Sequence, residues 1–108
     1  MKNEFGVTLD RCGYAPSIMQ RFDTQHCYLC GSNDQKLDRH EPFGGAYRTK
    51  SKRYGMWILL CHDRCHFGAA HKYGQLQEVL KKNAQEAAMR EYDWTVEEFR
   101  ERFGKNWT

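Results

Sequence analysis

No apolar run in this sequence approaches the roughly 20 residues a helix needs to cross a bilayer. The longest, Met56-Trp57-Ile58-Leu59-Leu60-Cys61, is the length of a strand. That excludes a membrane-spanning helix and leaves no membrane among the expected partners. The first residues, Met1-Lys2-Asn3-Glu4-Phe5, have neither an apolar core nor a small-residue cleavage site. A signal peptide is therefore not expected, and a cytoplasmic, reducing location is. Internal repeats and low-complexity tracts are also missing, which excludes solenoids and arrays. No charge of one sign dominates: 17 Lys and Arg stand against 14 Asp and Glu, a net charge of +3. With 40% hydrophobic residues, the 108 residues suffice for one small, polar domain and not for two. So short a chain buries a modest share of its surface, so a staple of metal, disulfides or a partner is expected.

The positive charge is concentrated. Residues 36–66 hold seven Lys and Arg against three carboxylates, whereas residues 72–103 hold six against seven. A basic middle third suits a polyanion, and a solvated loop accounts for it equally well. Residues 1–26 read as an irregular arm on the body or a partner, interrupted by Gly6, Gly13 and Pro16, with one helical turn over Ser17–Phe22. Lys36–Phe43 alternates loosely and reads as a short strand ended by Pro42 and Gly44-Gly45. Residues 46–55 read as a polar, basic loop, and Met56–Leu60 as a second strand. From about His71 the period becomes helical, with Leu76, Val79, Leu80, Ala84, Ala87, Ala88 and Tyr92 on one face. Thr95-Val96-Glu97-Glu98 predicts a capping box for a last helix that points Val96, Phe99 and Phe103 inward and stops at Gly104. The fold class is α+β.

Five cysteines stand at 12, 27, 30, 61 and 65. Cys27-Tyr28-Leu29-Cys30-Gly31 is a knuckle: two thiolates two residues apart bind one ion in a tight turn, and the glycine permits the positive φ such turns need. Cys61-His62-Asp63-Arg64-Cys65-His66 supplies a second group. Two separated ligand pairs are the usual layout of a closed tetrahedral zinc site. Three residues separate Cys61 from Cys65, so His62 and His66 are alternatives for the fourth ligand. Four thiolates are favoured because they leave His66 for other chemistry. Cys12 has no partner in this scheme and reads as an ordinary thiol. A zinc here pins both ends of a strand–loop–strand–helix unit and gathers Asp38, His40, Glu41, His66 and His71 in one place.

With these residues in view, the sequence resembles the HNH, or ββα-metal, endonucleases. The resemblance rests on Cys27-x-x-Cys30-Gly31, Leu37-Asp38-Arg39-His40-Glu41, Gly44-Gly45, Leu60-Cys61 and Cys65-His66, in the order of the zinc-stapled members. It spans residues 27–71, with 1–26 as the arm and 72–108 as a C-terminal helical extension of the same domain. His40–Arg48, with Ser51, Gly55 and the tail Trp94…Phe99…Phe103-Gly104, looks like phage and prophage nucleases of the RecA-dependent, recombination-enhancing type. The resemblance implies metal-dependent hydrolysis of DNA in a bacterial or phage-infected cell, and a recombination protein as a second partner. It implies structural Zn²⁺ on Cys27, Cys30, Cys61 and Cys65, and catalytic Mg²⁺ or Mn²⁺ near His66 and His71. In that family a first-strand histidine takes a proton from the attacking water. Arg48, Lys50, Lys52 and Arg53 are then the residues suited to hold flanking phosphates.

The sequence departs from the pattern in two places. No Asn lies between Asp34 and Arg64 to match the middle letter of the family name, so Ser51 or a backbone group must replace it. Where many relatives have His-His, this chain has His40-Glu41, which leaves two registers. In one, His40 is the base and Asp38 or Glu41 a metal ligand. In the other, His40 is the ligand and Glu41 stands at the base position. The competing reading is a catalytically degenerate zinc module that binds DNA or protein. His62 is expected at the surface or behind a metal ligand.

Overall fold

A computed structural model describes residues 1–70 and 72–108. Strand β1 is Leu37–His40 and strand β2 is Ile58–Cys61. They pair antiparallel, with Leu37 opposite Cys61 and His40 opposite Ile58. Both strands are shorter than the alternation suggests. β1 ends at His40, so Glu41 falls outside the ladder, and Met56 and Trp57 are buried just before β2 begins.

The connection is not a loop. Gly45–Tyr47 forms a 3₁₀ turn that runs into helix α1, Arg48–Arg53. α1 has no apolar face to announce it. It is held by contacts from outside: the buried Ser51 hydroxyl donates to the Phe43 carbonyl at 2.7 Å, and the Lys52 carbonyl accepts from Ala15 N–H at 2.9 Å. The helix turns back to β2 at Gly55, whose φ is +73°. A Cβ there would stand 2.2 Å from the Pro16 carbonyl oxygen, so no residue with a side chain fits.

From Cys61 the chain passes directly into a π-helical run, His62–Ala70. Helix α2, Gly74–Tyr92, and helix α3, Val96–Phe103, follow. α2 starts later than the periodicity suggests. It buries Leu80, Ala84, Ala87 and Ala88, as expected, and Gln85 as well. Val79 is exposed. At about 100° per residue it lies well off the direction of Ala84, on which the packed face is centred. Gln85 occupies the opposite edge of that face, where its carbonyl accepts from Trp107 N–H at 2.7 Å and its amide donates to Asn106 at 2.8 Å. α3 carries the full capping box between Thr95 and Glu98 and closes at Gly104.

Two apolar clusters result. One joins Phe43, Tyr54, Met56, Ala84, Ala88, Trp94, Phe99 and Phe103. The other joins Ile58, Leu60, Ala70 and Leu80 to Cys27, Cys61 and Cys65. The arm lies on the body along the far side of β2. Trp57 Nε1–H donates to the Ala15 carbonyl at 2.7 Å, Ile18 N–H to the Gly55 carbonyl at 2.9 Å, and Leu59 N–H to the Gln20 side chain at 2.9 Å. Ser17–Phe22 forms bends and a turn instead of the expected helical turn: Ile18 N–H is taken by the Gly55 carbonyl, and the Met19 and Gln20 N–H groups donate to the Ser17 hydroxyl. Among the described residues no helix is long and apolar enough to cross a membrane.

Candidate functional site

Cys27 and Cys30 sit on a tight turn closed by Gly31 N–H donating to the Cys27 carbonyl at 2.9 Å. Gly31 takes the positive φ of +74° that the knuckle requires. Cys61 ends β2, and the first π-helical turn brings Cys65 back beneath it. The Sγ atoms of Cys27, Cys30, Cys61 and Cys65 all lie within 4.8 Å of one another. Cys30 and Cys61 sulfurs are 3.9 Å apart. Tetrahedral zinc with bonds of about 2.3 Å sets its sulfurs roughly 3.8 Å apart, whereas a disulfide needs about 2.0 Å. The donor set fits a metal ion and does not form disulfides. His62 and His66 stand outside this set, as does the exposed Cys12.

Arg64, between the last two cysteines, closes the cluster from outside. Its guanidinium donates to Cys30 Sγ at 3.4 Å and to Asp34 at 3.1 Å. That contact, with a Ser32 backbone N–H, lowers the Cys30 thiol to about 6. Cys65 is driven the other way by burial and by the neighbouring thiols. A metal ion would reverse that, because coordination deprotonates a thiol outright.

The histidines gather on the adjacent surface. Asp38 accepts from His62 Nδ1 at 2.6 Å and from His66 Nδ1 at 2.9 Å. These two histidines sit four apart on the π-helical run, and both lean on one carboxylate of β1. Burial works against ionisation of Asp38, but the two imidazoles outweigh it and hold its pKa below the usual carboxylate range. With Nδ1 turned to Asp38, Nε2 of His66 is the atom suited to a metal. A carboxylate that orients an imidazole in this way is the common support of a ligating histidine. His40, two residues along β1 and therefore on the same face as Asp38, meets His66 edge-on with ring centroids 5.3 Å apart. His71 lies outside the described residues.

Glu41 faces elsewhere. Its Oε1 accepts from the Tyr14 hydroxyl at 3.0 Å and stands 3.7 Å from Arg48 Nε, and its side chain is 8% exposed. His40, Glu41 and His66 nevertheless line one cleft of about 580 Å³, with Tyr14, Arg39, Arg48, Lys52, Gln77 and Lys81 around them. The four basic residues of α1 therefore separate. Arg48 and Lys52, one helical turn apart, face this cleft. Lys50 does not: it donates to the Arg102 carbonyl at 2.8 Å. Arg53 does not either, being paired with Glu4 at 3.2 Å. Reading residues 46–55 as a loop concealed this division, which helical spacing makes plain. Tyr14 and Lys81 carry no local motif, and Arg39, though inside the Leu37–Glu41 stretch, meets them at the cleft only through tertiary packing.

Compared with protein-family models, curated proteins and solved structures, the chain matches none. What the fold and site define is a small α+β domain with a two-stranded sheet and a four-cysteine cluster able to hold a metal ion.

Proposed function

We propose that this chain is a metal-dependent endonuclease of the HNH, ββα-metal type that hydrolyses DNA phosphodiester bonds. In this reading the four thiolates hold structural zinc, and Mg²⁺ or Mn²⁺ serves the cleft. The observation that carries it is the meeting of His40 and His66 beside Asp38, in a cation-lined cleft one residue along from Cys65. An imidazole and a carboxylate on one cleft, His66 and Glu41, suit a divalent ion whose shell is completed by substrate oxygens. Such an ion supplies charge neutralisation for the scissile phosphate and its leaving oxygen.

The chain's own residues then divide the work. His40 takes the proton of the attacking water, since a neutral imidazole is the effective base near pH 7. Asp38 acts through His66, fixing its tautomer and angle. Arg48 and Lys52 hold flanking phosphate oxygens. Ser51 supports the register from beneath: its bond to the Phe43 carbonyl ties the segment after His40-Glu41 to α1, a task suited to the missing Asn. The stretch His40–Arg48 adds a narrower proposal, a role in phage or prophage recombination with a recombination protein as partner.

A second reading, a degenerate zinc module that binds DNA or protein without cutting, draws on Glu41 being tied to Tyr14 and Arg48. Incubation with supercoiled plasmid in Mg²⁺, in Mn²⁺ or in neither separates the two. The nuclease reading expects nicked or linear product only with a divalent ion. Salt-sensitive DNA binding with no cleavage in either metal selects the second reading.

A further inference from the structure

The N-terminal arm builds part of the cleft. Asp10 accepts from the backbone N–H groups of Cys12 and Tyr14, at 2.9 and 3.0 Å, and so shapes the turn that presents the Tyr14 ring. That ring packs edge-on against Trp57, with centroids 5.7 Å apart. The Arg39 guanidinium lies 4.2 Å from its centroid and Lys52 Nζ 4.8 Å from it. Asp10 also pairs with Arg39 at 3.0 Å. Lys52 forms no ion pair among the described residues. Two like charges are thus drawn to one aromatic ring at a cleft wall, where the ring's π-system is their shared partner. The hydroxyl of the same ring donates to Glu41.

We propose that Tyr14 is a positioning residue which gathers Arg39 and Lys52 into a subsite for a nucleic-acid backbone phosphate next to the reacting one, while its hydroxyl orients Glu41. The proposal rests on reading the cleft as a phosphodiester site. Phosphate is the chemistry that fits: a compact anion with several acceptor oxygens suits a guanidinium and an ammonium that line one cleft.

The test uses the full zinc-loaded chain and a fluorescein-labelled single-stranded oligonucleotide, titrated at several salt concentrations without Mg²⁺ or Mn²⁺. Each phosphate contact contributes about −0.7 to the slope of log K against log salt for a single strand. Tyr14→Leu is expected to flatten the slope by roughly one to two contacts and weaken binding about fivefold or more. Tyr14→Phe keeps the ring and is expected to bind within about twofold of wild type, while lowering kcat on cleavable DNA at unchanged KM. Lys52→Gln in the Tyr14→Leu background should cost no further affinity, because Lys52 is already unplaced.

A wild-type slope in Tyr14→Leu, or a double variant that loses the sum of both single effects, overturns the role of Tyr14. If Tyr14→Leu loses zinc or helicity, the decision passes to Arg39→Gln and Lys52→Gln, each of which must remove about one contact from the slope; an unchanged slope in either overturns the subsite. Failure of the wild-type chain to bind with any salt dependence would instead sink the phosphodiester reading itself, and the subsite with it.

Discussion

His40 and Glu41 are adjacent in sequence, yet the fold gives them different surroundings. β1 stops at His40, whose ring is committed to the face shared with Asp38 and His66. Glu41, just beyond the ladder, turns to Tyr14 and Arg48. This division supports the register in which His40 is the base, and it sets up a contrast between variants. His40→Ala is expected to lower cleavage by about 10²–10⁴-fold while a weakly held divalent ion still binds, detectable by Mn²⁺ electron paramagnetic resonance. Glu41→Gln is expected to weaken that ion instead, with the rate largely restored at saturating metal. If His40→Ala loses the ion, and Glu41→Gln alone stops the reaction with the ion retained, Glu41 is the base. Asp38→Asn is expected to leave His40 in place but weaken metal binding by about 10–100-fold, because His66 exchanges the carboxylate that orients it for a weaker, neutral amide acceptor.

At the scale of elements, α1 and the arm hold each other in place. α1 has six residues, four of them basic, and little reason to be helical alone. Its one buried side chain, Ser51, satisfies the Phe43 carbonyl. Ser51→Ala leaves that acceptor unpaired and should cost about 1–3 kcal/mol. For a domain of this size each kcal/mol lowers Tm by roughly 4–8 °C, readable by circular dichroism. The arm is fastened to the same helix through Glu4, which accepts from Tyr54 at 2.6 Å and pairs with Arg53. The Tyr54 hydrogen bond, opposed by burial and aided by Arg53, holds the Glu4 carboxyl below its ordinary value. A depressed carboxyl stabilises the folded state above its unfolded pKa, and that contribution disappears as pH falls through the folded pKa. The Tm difference between wild type and Glu4→Gln should therefore be present at neutral pH and shrink in acid. A difference that grows on acidification would contradict this fastening.

For the whole molecule, the cysteine cluster joins the knuckle, the end of β2 and the π-helical run, and three of its sulfurs sit in the second apolar cluster. Metal binding at such a site is folding free energy. Cys27→Ser is expected to yield protein without bound zinc, by elemental analysis, and largely without helicity. Cys12→Ser, at an exposed thiol outside the cluster, should match wild type in both. A soluble Cys27→Ser variant with normal helicity would count against a structural metal at this cluster. A strong chelator should disrupt the meeting of His40 and His66 together with the fold, because His66 follows Cys65 directly and is aimed by the same π-helical turn.

Local sequence chemistry alone determined the knuckle, the capping box of α3, the burial of Leu80, Ala84, Ala87 and Ala88 on α2 and the pairing of Asp38 with His40 on one side of a strand. Each depends on residues within a few positions of one another, where spacing fixes direction. The spacing of Cys27, Cys30, Cys61 and Cys65 likewise marks a metal-binding group by itself. Tertiary structure alone decided what had no local period. α1 is a helix because Ser51 and Lys52 are bonded from outside it, not because its residues alternate. Lys50 and Arg53 leave the cleft because Arg102 and Glu4 take them. Tyr14, Arg39 and Lys81 enter it from three separate stretches, since a cleft wall is assembled from surfaces that meet only once the chain has closed.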